Sequence, residues 1–132
     1  MVTLSLDWTG DLNFQNSPGN PSIDLRSGVP AIATPPQALA YAVMACMAMD
    51  VVHIVQKSRQ ELRGLSVKFE GERAAEHPRR WISMHILFEI TGNVEPHVVE
   101  RAIELSKTTY CSVWNTLRSD IDLKATYTIK AV

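Results

Sequence analysis

Two cysteines, Cys46 and Cys111, are the residues of this chain whose type and spacing could do chemistry. Cys46 falls within one predicted helix, and Cys111 falls at the start of another. If folding brings them together, one thiolate could attack an oxidant and become a sulfenic acid, and the other thiol could condense with it to a disulfide. If they stay apart, each is a small hydrophobic residue, which is the usual state of an unpaired buried cysteine. The residues alone leave both alternatives open.

The local sequence around each cysteine predicts how readily its thiol loses a proton. Cys111 directly precedes a helix predicted to begin near Ser112, and the backbone N–H groups at a helix start lower the pKa of a thiol. Cys46 lies in the middle of an apolar helix, where burial raises the pKa, and Asp50 follows one turn later. From these residues alone, Cys111 is the better nucleophile.

Composition argues against several classes of protein and partner. The chain has 132 residues, a formal net charge of −1 and 45% hydrophobic residues, which fits a single domain over 1–132. Near-neutral charge gives no electrostatic reason to expect nucleic acid or an anionic membrane as a partner. Two cysteines without a CxxC motif or a Cys/His cluster predict no metal site, and we expect no bound cofactor. Because the N-terminus lacks the pattern of a signal peptide, we expect a cytoplasmic protein.

The elements that must position the cysteines are indicated by the hydrophobic pattern. Alternating residues predict six strands, at 2–9, 12–14, 23–25, 65–69, 82–90 and 121–129. Helical spacing predicts one long helix over 37–59 and two shorter ones, at 95–107 and 112–118. The order β-β-β-α-β-β-α-α-β predicts an α+β domain.

The long helix raises a question of how it is covered. Thr34 can cap it and Pro35 suits its first position. Its uninterrupted apolar run, 38–49, is shorter than the roughly 20 residues that span a membrane, so we expect a core helix of a soluble protein. The run is apolar on nearly all sides and therefore needs cover all round, for which a second subunit is the simplest source.

Two runs around the cysteines, "ACMAMDVV" and "TYCSV", resemble the OsmC/Ohr family and especially its YhfA-like branch. The opening "VTLSLDWTGDLNFQ" and the region "VKFEGERAAEHPRRWISMHILFEITG" fit the same pattern in the same order. The resemblance implies an OsmC-like fold, in which an intertwined homodimer packs two long central helices against antiparallel sheets of both subunits. Such a dimer would cover the apolar helix.

The resemblance also implies an activity, the thiol-dependent reduction of organic or fatty-acyl hydroperoxides. Cys46 matches the peroxidatic position of the family and Cys111 the resolving position, with an external dithiol as reductant. This reverses the order that local residues favour. In the family, an arginine from the N-terminal region approaches the first cysteine, and a glutamate just before the central helix orients that arginine.

Three further residues are candidates to support this chemistry. Gln37 stands where YhfA-like members have the glutamate, and its neutral amide can hydrogen-bond a guanidinium without pairing its charge. Arg26 is the only arginine before Cys46, and it lies in a different loop from the family's arginine. Asp50 is expected to satisfy a polar contact of the helix or the dimer. These departures favour an alternative function, a non-catalytic stress-associated protein that binds a small apolar ligand in the dimer cleft.

Overall fold

Six strands, three α-helices and one π-helical turn make up the computed structural model, which describes residues Met1–Val132. The α+β class predicted from the sequence is confirmed. In chain order the elements are β1 (Leu6–Gly10), β2 (Asn13–Asn16), β3 (Asp24–Arg26), α1 (Pro35–Lys57), β4 (Glu61–Arg73), β5 (Trp81–Asn93), α2 (Pro96–Leu105), the π turn (Ser106–Tyr110), α3 (Ser112–Thr116) and β6 (Asp122–Lys130).

The chain divides into two compact units, Met1–Tyr41 and Ala42–Val132, and α1 runs through the boundary as one continuous helix. The sequence predicts a single domain over 1–132, and this stays a prediction.

The first unit contains a small sheet in which β2 lies between β1 and β3, all antiparallel. The alternation of the sequence predicts that the first strand begins at residue 2, but the strand begins at Leu6. Ala40 is the one buried hydrophobic residue of this unit. Most of the large apolar side chains before α1 are exposed within the single chain: Met1, Val2, Leu4, Leu6, Trp8, Leu12, Phe14 and Ile23. This sheet therefore has no hydrophobic core of its own.

One face of α1 is fully buried, and its side chains recur at helical spacing: Val43, Met47, Val51 and Val55. Tyr41 and Met49 are 64% and 69% exposed, so part of the helix surface has no cover within the single chain. α1 is long and apolar enough to cross a membrane by length and composition alone. That is weak evidence, because core helices of soluble proteins meet the same criteria.

The second unit holds the hydrophobic core. Along β5, every second side chain is buried, as the alternation of the sequence predicts: Met84, Ile86, Phe88 and Ile90. These side chains form one cluster with the buried face of α1 and with α2 residues such as Val99. α1 is thereby held against the sheet of this unit.

The sheet of the second unit has the order β4-β5-β6. β4 and β5 are antiparallel, but β6 runs parallel to β5, with Ser83 opposite Asp122 and Thr91 opposite Lys130. The expectation of antiparallel sheets is therefore wrong for this pair. The reason is the connection: after β5 the chain crosses back through α2, the π turn and α3, so β6 starts at the same end as β5. This crossover carries Cys111.

Candidate functional site

The crossover brings Cys111 against Cys46 of α1. Both cysteines are free thiols, and they lie close enough to shift each other's pKa: Cys111, acting as a donor, lowers the pKa of Cys46, and Cys46 raises the pKa of Cys111. Cys46 is half-buried, whereas Cys111 is fully buried. The geometry of this site is therefore that of a dithiol pair.

The π turn determines where Cys111 stands. After α2 ends at Leu105, the N–H of Cys111 donates to the carbonyl of Ser106 at 2.8 Å. Cys111 then leaves the helical conformation, with φ −74° and ψ 99°, and forms the N-cap of α3. The side-chain amide of Asn115 donates to the Cys111 carbonyl at 2.8 Å, which fixes the backbone after the turn. Cys111 is thus held on both sides by backbone hydrogen bonds.

The first turn of α3 supplies hydrogen-bond donors to both sulfurs. The N–H of Trp114 donates to the Cys111 sulfur at 3.3 Å. The N–H of Val113 and the hydroxyl of Ser112 act as donors toward the Cys46 sulfur and lower its pKa. Residues adjacent to Cys111 in the sequence therefore solvate Cys46, which belongs to a different helix.

These donors determine the pKa of Cys46. Burial raises the pKa, but the hydrogen bonds from Val113, Cys111 and Ser112 lower it, and the nearby charge of Asp50 raises it. The net pKa of Cys46 is lower than that of an ordinary thiol. Thiolate is the reactive form of cysteine, so this sulfur is the more reactive of the pair.

The pKa of Cys111 moves the other way. Burial is the largest cause and raises it, the N–H of Trp114 lowers it, and the hydrogen bond to Cys46 and the charges of Cys46 and Asp50 raise it, to about 11. Cys111 therefore stays protonated and acts as a donor. This order is opposite to the one that the local sequence predicts.

Asp50 bonds to the crossover and not to a sulfur. Its carboxylate accepts a hydrogen bond from the Ser106 hydroxyl at 2.8 Å. Ser106 is completely buried and is the only buried polar side chain of the chain apart from the thiol of Cys111. Asp50 also lines a cavity of about 570 Å³ whose other polar side chains are His53, Lys57, Ser58, Arg101 and Tyr110. The polar contact expected for Asp50 is thus made within one chain.

Gln37 takes part in capping α1. Its side-chain oxygen accepts from the N–H of Thr34 at 3.0 Å, and its own N–H donates to the Thr34 hydroxyl at 3.4 Å. This reciprocal pair is a capping box, in which each side chain satisfies a backbone group of the other residue. Sequence reasoning identified the Thr34 cap but missed this role for Gln37, although Thr-x-x-Gln before an apolar run is its usual signal.

Arg26 is engaged by a carboxylate of its own strand. Its guanidinium donates to both oxygens of Asp24, from Nε at 2.9 Å and from a terminal nitrogen at 3.2 Å. No group of three or more His, Cys, Asp or Glu side chains could hold a metal ion.

Comparison with known proteins identifies the family. Residues 28–126 match the family model described as "OsmC-like protein". The chain belongs to this family. The sequence resemblance to its YhfA-like branch is confirmed, since the OsmC-like chain is 34% identical over 99 residues to Protein YhfA of Escherichia coli K12, which is 74% of each protein.

Solved structures show the OsmC-like fold. A hypothetical protein from Aquifex aeolicus VF5 is 25% identical and superimposes with a TM-score of 0.89, covering 98% of this chain and 96% of that one. An organic hydroperoxide resistance protein from Elizabethkingia anophelis is 16% identical, with a TM-score of 0.72 and 98% of each chain covered. At that identity, the second likeness shows the fold alone.

Proposed function

We propose that this OsmC-like protein reduces organic or fatty-acyl hydroperoxides by cycling Cys46 and Cys111 between dithiol and disulfide. The observation that carries the proposal is that the fold brings two free thiols close enough to act on each other, so that the pKa of Cys46 is lowered and that of Cys111 is raised. A pair in contact, with one ready nucleophile and one protonated partner, fits a peroxidatic and a resolving cysteine.

Cys46 begins the cycle. Its thiolate, stabilised by the N–H of Val113 and the hydroxyl of Ser112, attacks one oxygen of the hydroperoxide. The O–O bond breaks, and the alkoxide takes a proton from water and leaves as an alcohol. Cys46 keeps the other oxygen as a sulfenic acid. Cys46 also packs against the hydrophobic core, which favours an apolar peroxide over hydrogen peroxide.

Cys111 completes the two-electron reduction. Its sulfur attacks the Cys46 sulfur, the S–S bond forms, and the S–O bond breaks. The departing hydroxide takes the thiol proton of Cys111 and leaves as water. An external dithiol then reduces the disulfide by exchange and is itself oxidised to a disulfide. A cytoplasmic location would supply such reductants.

The similarity to known proteins supports the proposed activity at a coarser level. The Elizabethkingia anophelis protein of the same fold is named for resistance to organic hydroperoxides. The family match extends over both cysteines and most of the second unit, up to residue 126. The activity itself is therefore our proposal for this chain.

A homodimer is part of the same proposal. The first unit exposes most of its large apolar side chains and buries only Ala40 among its hydrophobic residues, and a small sheet is not stable without a packed face. Two large apolar side chains of α1, Tyr41 and Met49, are also exposed. A second copy of the chain would cover both surfaces, as the family resemblance implies.

A peroxidase assay tests the activity. Purified protein with dithiothreitol should consume cumene hydroperoxide or a fatty-acid hydroperoxide catalytically, whereas Cys46→Ser should not, because serine forms no sulfenic acid. Ser66→Ala is a matched control: its hydroxyl bonds Glu89 on the exposed sheet surface, and this variant should consume peroxide at the wild-type rate. Equal consumption by wild type and Cys46→Ser would reject the proposal.

A second candidate function is the binding of a small apolar ligand without catalysis. The specific observation in its favour is that Gln37 and Arg26 both have other partners, Thr34 and Asp24. Thiol titration after a brief peroxide pulse separates the two functions. Loss of both thiols to an intramolecular disulfide supports the enzyme, and unreacted thiols support the binding protein.

A further inference from the structure

Ser106 is unusual because it is the one fully buried hydroxyl side chain of this molecule. Burying a hydroxyl is unfavourable unless it is hydrogen-bonded, and its side-chain partner is the carboxylate of Asp50 at 2.8 Å. Alanine or valine would fill such a position without this requirement. A bond of this kind therefore points to a role in holding two elements in one particular arrangement.

Ser106 makes two hydrogen bonds, one to Cys111 and one to the helix of Cys46. Its carbonyl accepts the N–H of Cys111 at 2.8 Å, the bond that closes the π turn. Its hydroxyl reaches Asp50, which stands one helical turn after Cys46 on α1. Two hydrogen bonds of Ser106 thus tie the backbone of Cys111 to the helix that carries Cys46.

The π turn gives this tie a function, next to the bond that the Asn115 side-chain amide donates to the Lys107 carbonyl at 3.0 Å. A π turn contains one residue more than the α-helical path, so it rotates the residues after it by about 100° relative to a continuing α-helix. That rotation decides which way Cys111 leaves the crossover. The side chain of Thr108, in the exposed part of the turn, bonds only locally, to Glu104 and Thr109, and does not oppose a return to α-helical phase.

We propose that the hydrogen bond between Asp50 and Ser106 is a clasp that holds the π turn in the phase that presents Cys111 to Cys46. Asp50 and Ser106 are then positioning residues for the disulfide and touch neither sulfur directly. The inference rests on the proposed function for its purpose, since a resolving cysteine needs this placement. The placement itself can be measured without any peroxide.

The test is the equilibrium of the protein with glutathione. One glutathione disulfide oxidises Cys46 and Cys111 to their disulfide and leaves two glutathione thiols, and the equilibrium gives the effective concentration of one thiol at the other. Ser106→Ala should lower it by about tenfold, the effect expected for one lost buried hydrogen bond. Thr108→Ala is the matched control, because it removes a hydroxyl from the same turn and should leave the equilibrium unchanged.

Two substitutions on the other side of the clasp make the test specific and guard against a misfolded Ser106 variant. Asp50 borders a cavity, so shortening its side chain disturbs little packing. Asp50→Ala should lower the effective concentration as Ser106→Ala does, whereas Asp50→Asn, which keeps an acceptor oxygen, should stay near wild type. The double variant Asp50→Ala/Ser106→Ala should be no worse than either single variant, because both remove the same bond.

The inference is wrong if Ser106→Ala and Thr108→Ala give the same effective concentration, or if the Asp50 and Ser106 effects add. Because glutathione is the oxidant, this result is independent of the peroxidase assay. If the proposed function alone fails, the wild-type protein consumes no hydroperoxide. Ser106→Ala still lowers the effective concentration measured with glutathione, relative to wild type.

Discussion

The segment of α1 around Cys46 and the turn around Cys111 contribute the same side chain to one site, but in different surroundings. Cys46 is half-buried and accepts hydrogen bonds from Val113, Ser112 and Cys111, which lower its pKa. Cys111 is fully buried and has one backbone donor, from Trp114, and its pKa is about 11. The two thiols are thus unequal although they are in contact.

The difference shows that the donors at a helix start lower the pKa of any thiol that faces them in space. They do not act only on the cysteine that precedes the helix in the sequence. Cys111 is the N-cap of α3, yet two of the groups at that start serve Cys46. Burial is the largest single cause for both thiols, but only at Cys46 do the donors outweigh it. Four experiments would break or sharpen this contrast, and their expected effects range from a loss of activity to a small loss of stability.

Exchanging each sulfur for oxygen should give unequal losses. Cys46→Ser should lower hydroperoxide consumption by at least about 10³-fold, because the nucleophile is gone. Cys111→Ser should still consume one equivalent of peroxide per chain and stop at a Cys46 sulfenic acid, which a dimedone adduct detects by mass spectrometry. If Cys111→Ser formed no adduct and Cys46→Ser did, the roles would be reversed.

The pH dependence should separate the two thiols. Thiolate fraction rises with pH, so alkylation by iodoacetamide, followed for each cysteine by mass spectrometry of its peptide, should increase in two steps, one below pH 9 for Cys46 and one near pH 11 for Cys111. At pH 8, Cys111 should then be at least about 100-fold less ionised than Cys46, since each pH unit is a factor of ten. If both cysteines ionised in a single step near the pKa of an ordinary thiol, the predicted difference between their pKa values would be wrong.

Removing one donor should affect one sulfur only. Ser112→Ala takes away a hydroxyl that bonds Cys46, so the pKa of Cys46 should rise and its alkylation by iodoacetamide at neutral pH should slow by a few-fold, about the effect of one hydrogen bond. Thr116→Ala, which removes a hydroxyl bonded to the Ser112 carbonyl in the same helix, is the control. Equal slowing in both variants would assign the effect to helix disruption.

The smallest effect is expected at the start of α1. Gln37→Ala removes half of the capping box with Thr34 and should lower the free energy of unfolding by about 0.5–1 kcal/mol, measured by urea denaturation. The alkylation rate of Cys46 should not change. A slower rate would show that Gln37 has the site role that its position in the family pattern suggests. The reactivity of Cys46 would then depend on a residue outside α3.

Much of the fold can be predicted from local patterns in the sequence. The alternation over 82–90 predicts the buried face of β5, and the apolar run after Pro35 predicts α1, because both depend on periodicity within one segment. The start of β1 and the ends of β4 differ from prediction by several residues. The parallel pairing of β5 with β6 depends on the path of the crossover, which no single segment encodes.

The candidate site is less predictable for the same reason. The family resemblance pairs Cys46 with Cys111, whereas periodicity cannot, because the contact joins distant segments. The π turn has no period that marks it in "SKTTY", and the burial of Ser106 results from tertiary packing. The order of the two pKa values is also tertiary, since it depends on which donors face which sulfur.

The bare apolar sheet at the beginning of the chain has a consequence for how the protein is made. A newly synthesised copy presents Trp8 and its apolar neighbours to water, and an open strand edge beside them, until something covers them. If a second copy covers this surface, complete folding requires two chains to associate. Dilution then lowers the stability of the folded protein. The midpoint of thermal unfolding would then rise with protein concentration, and the number of copies in a cell would determine what fraction of the protein is folded.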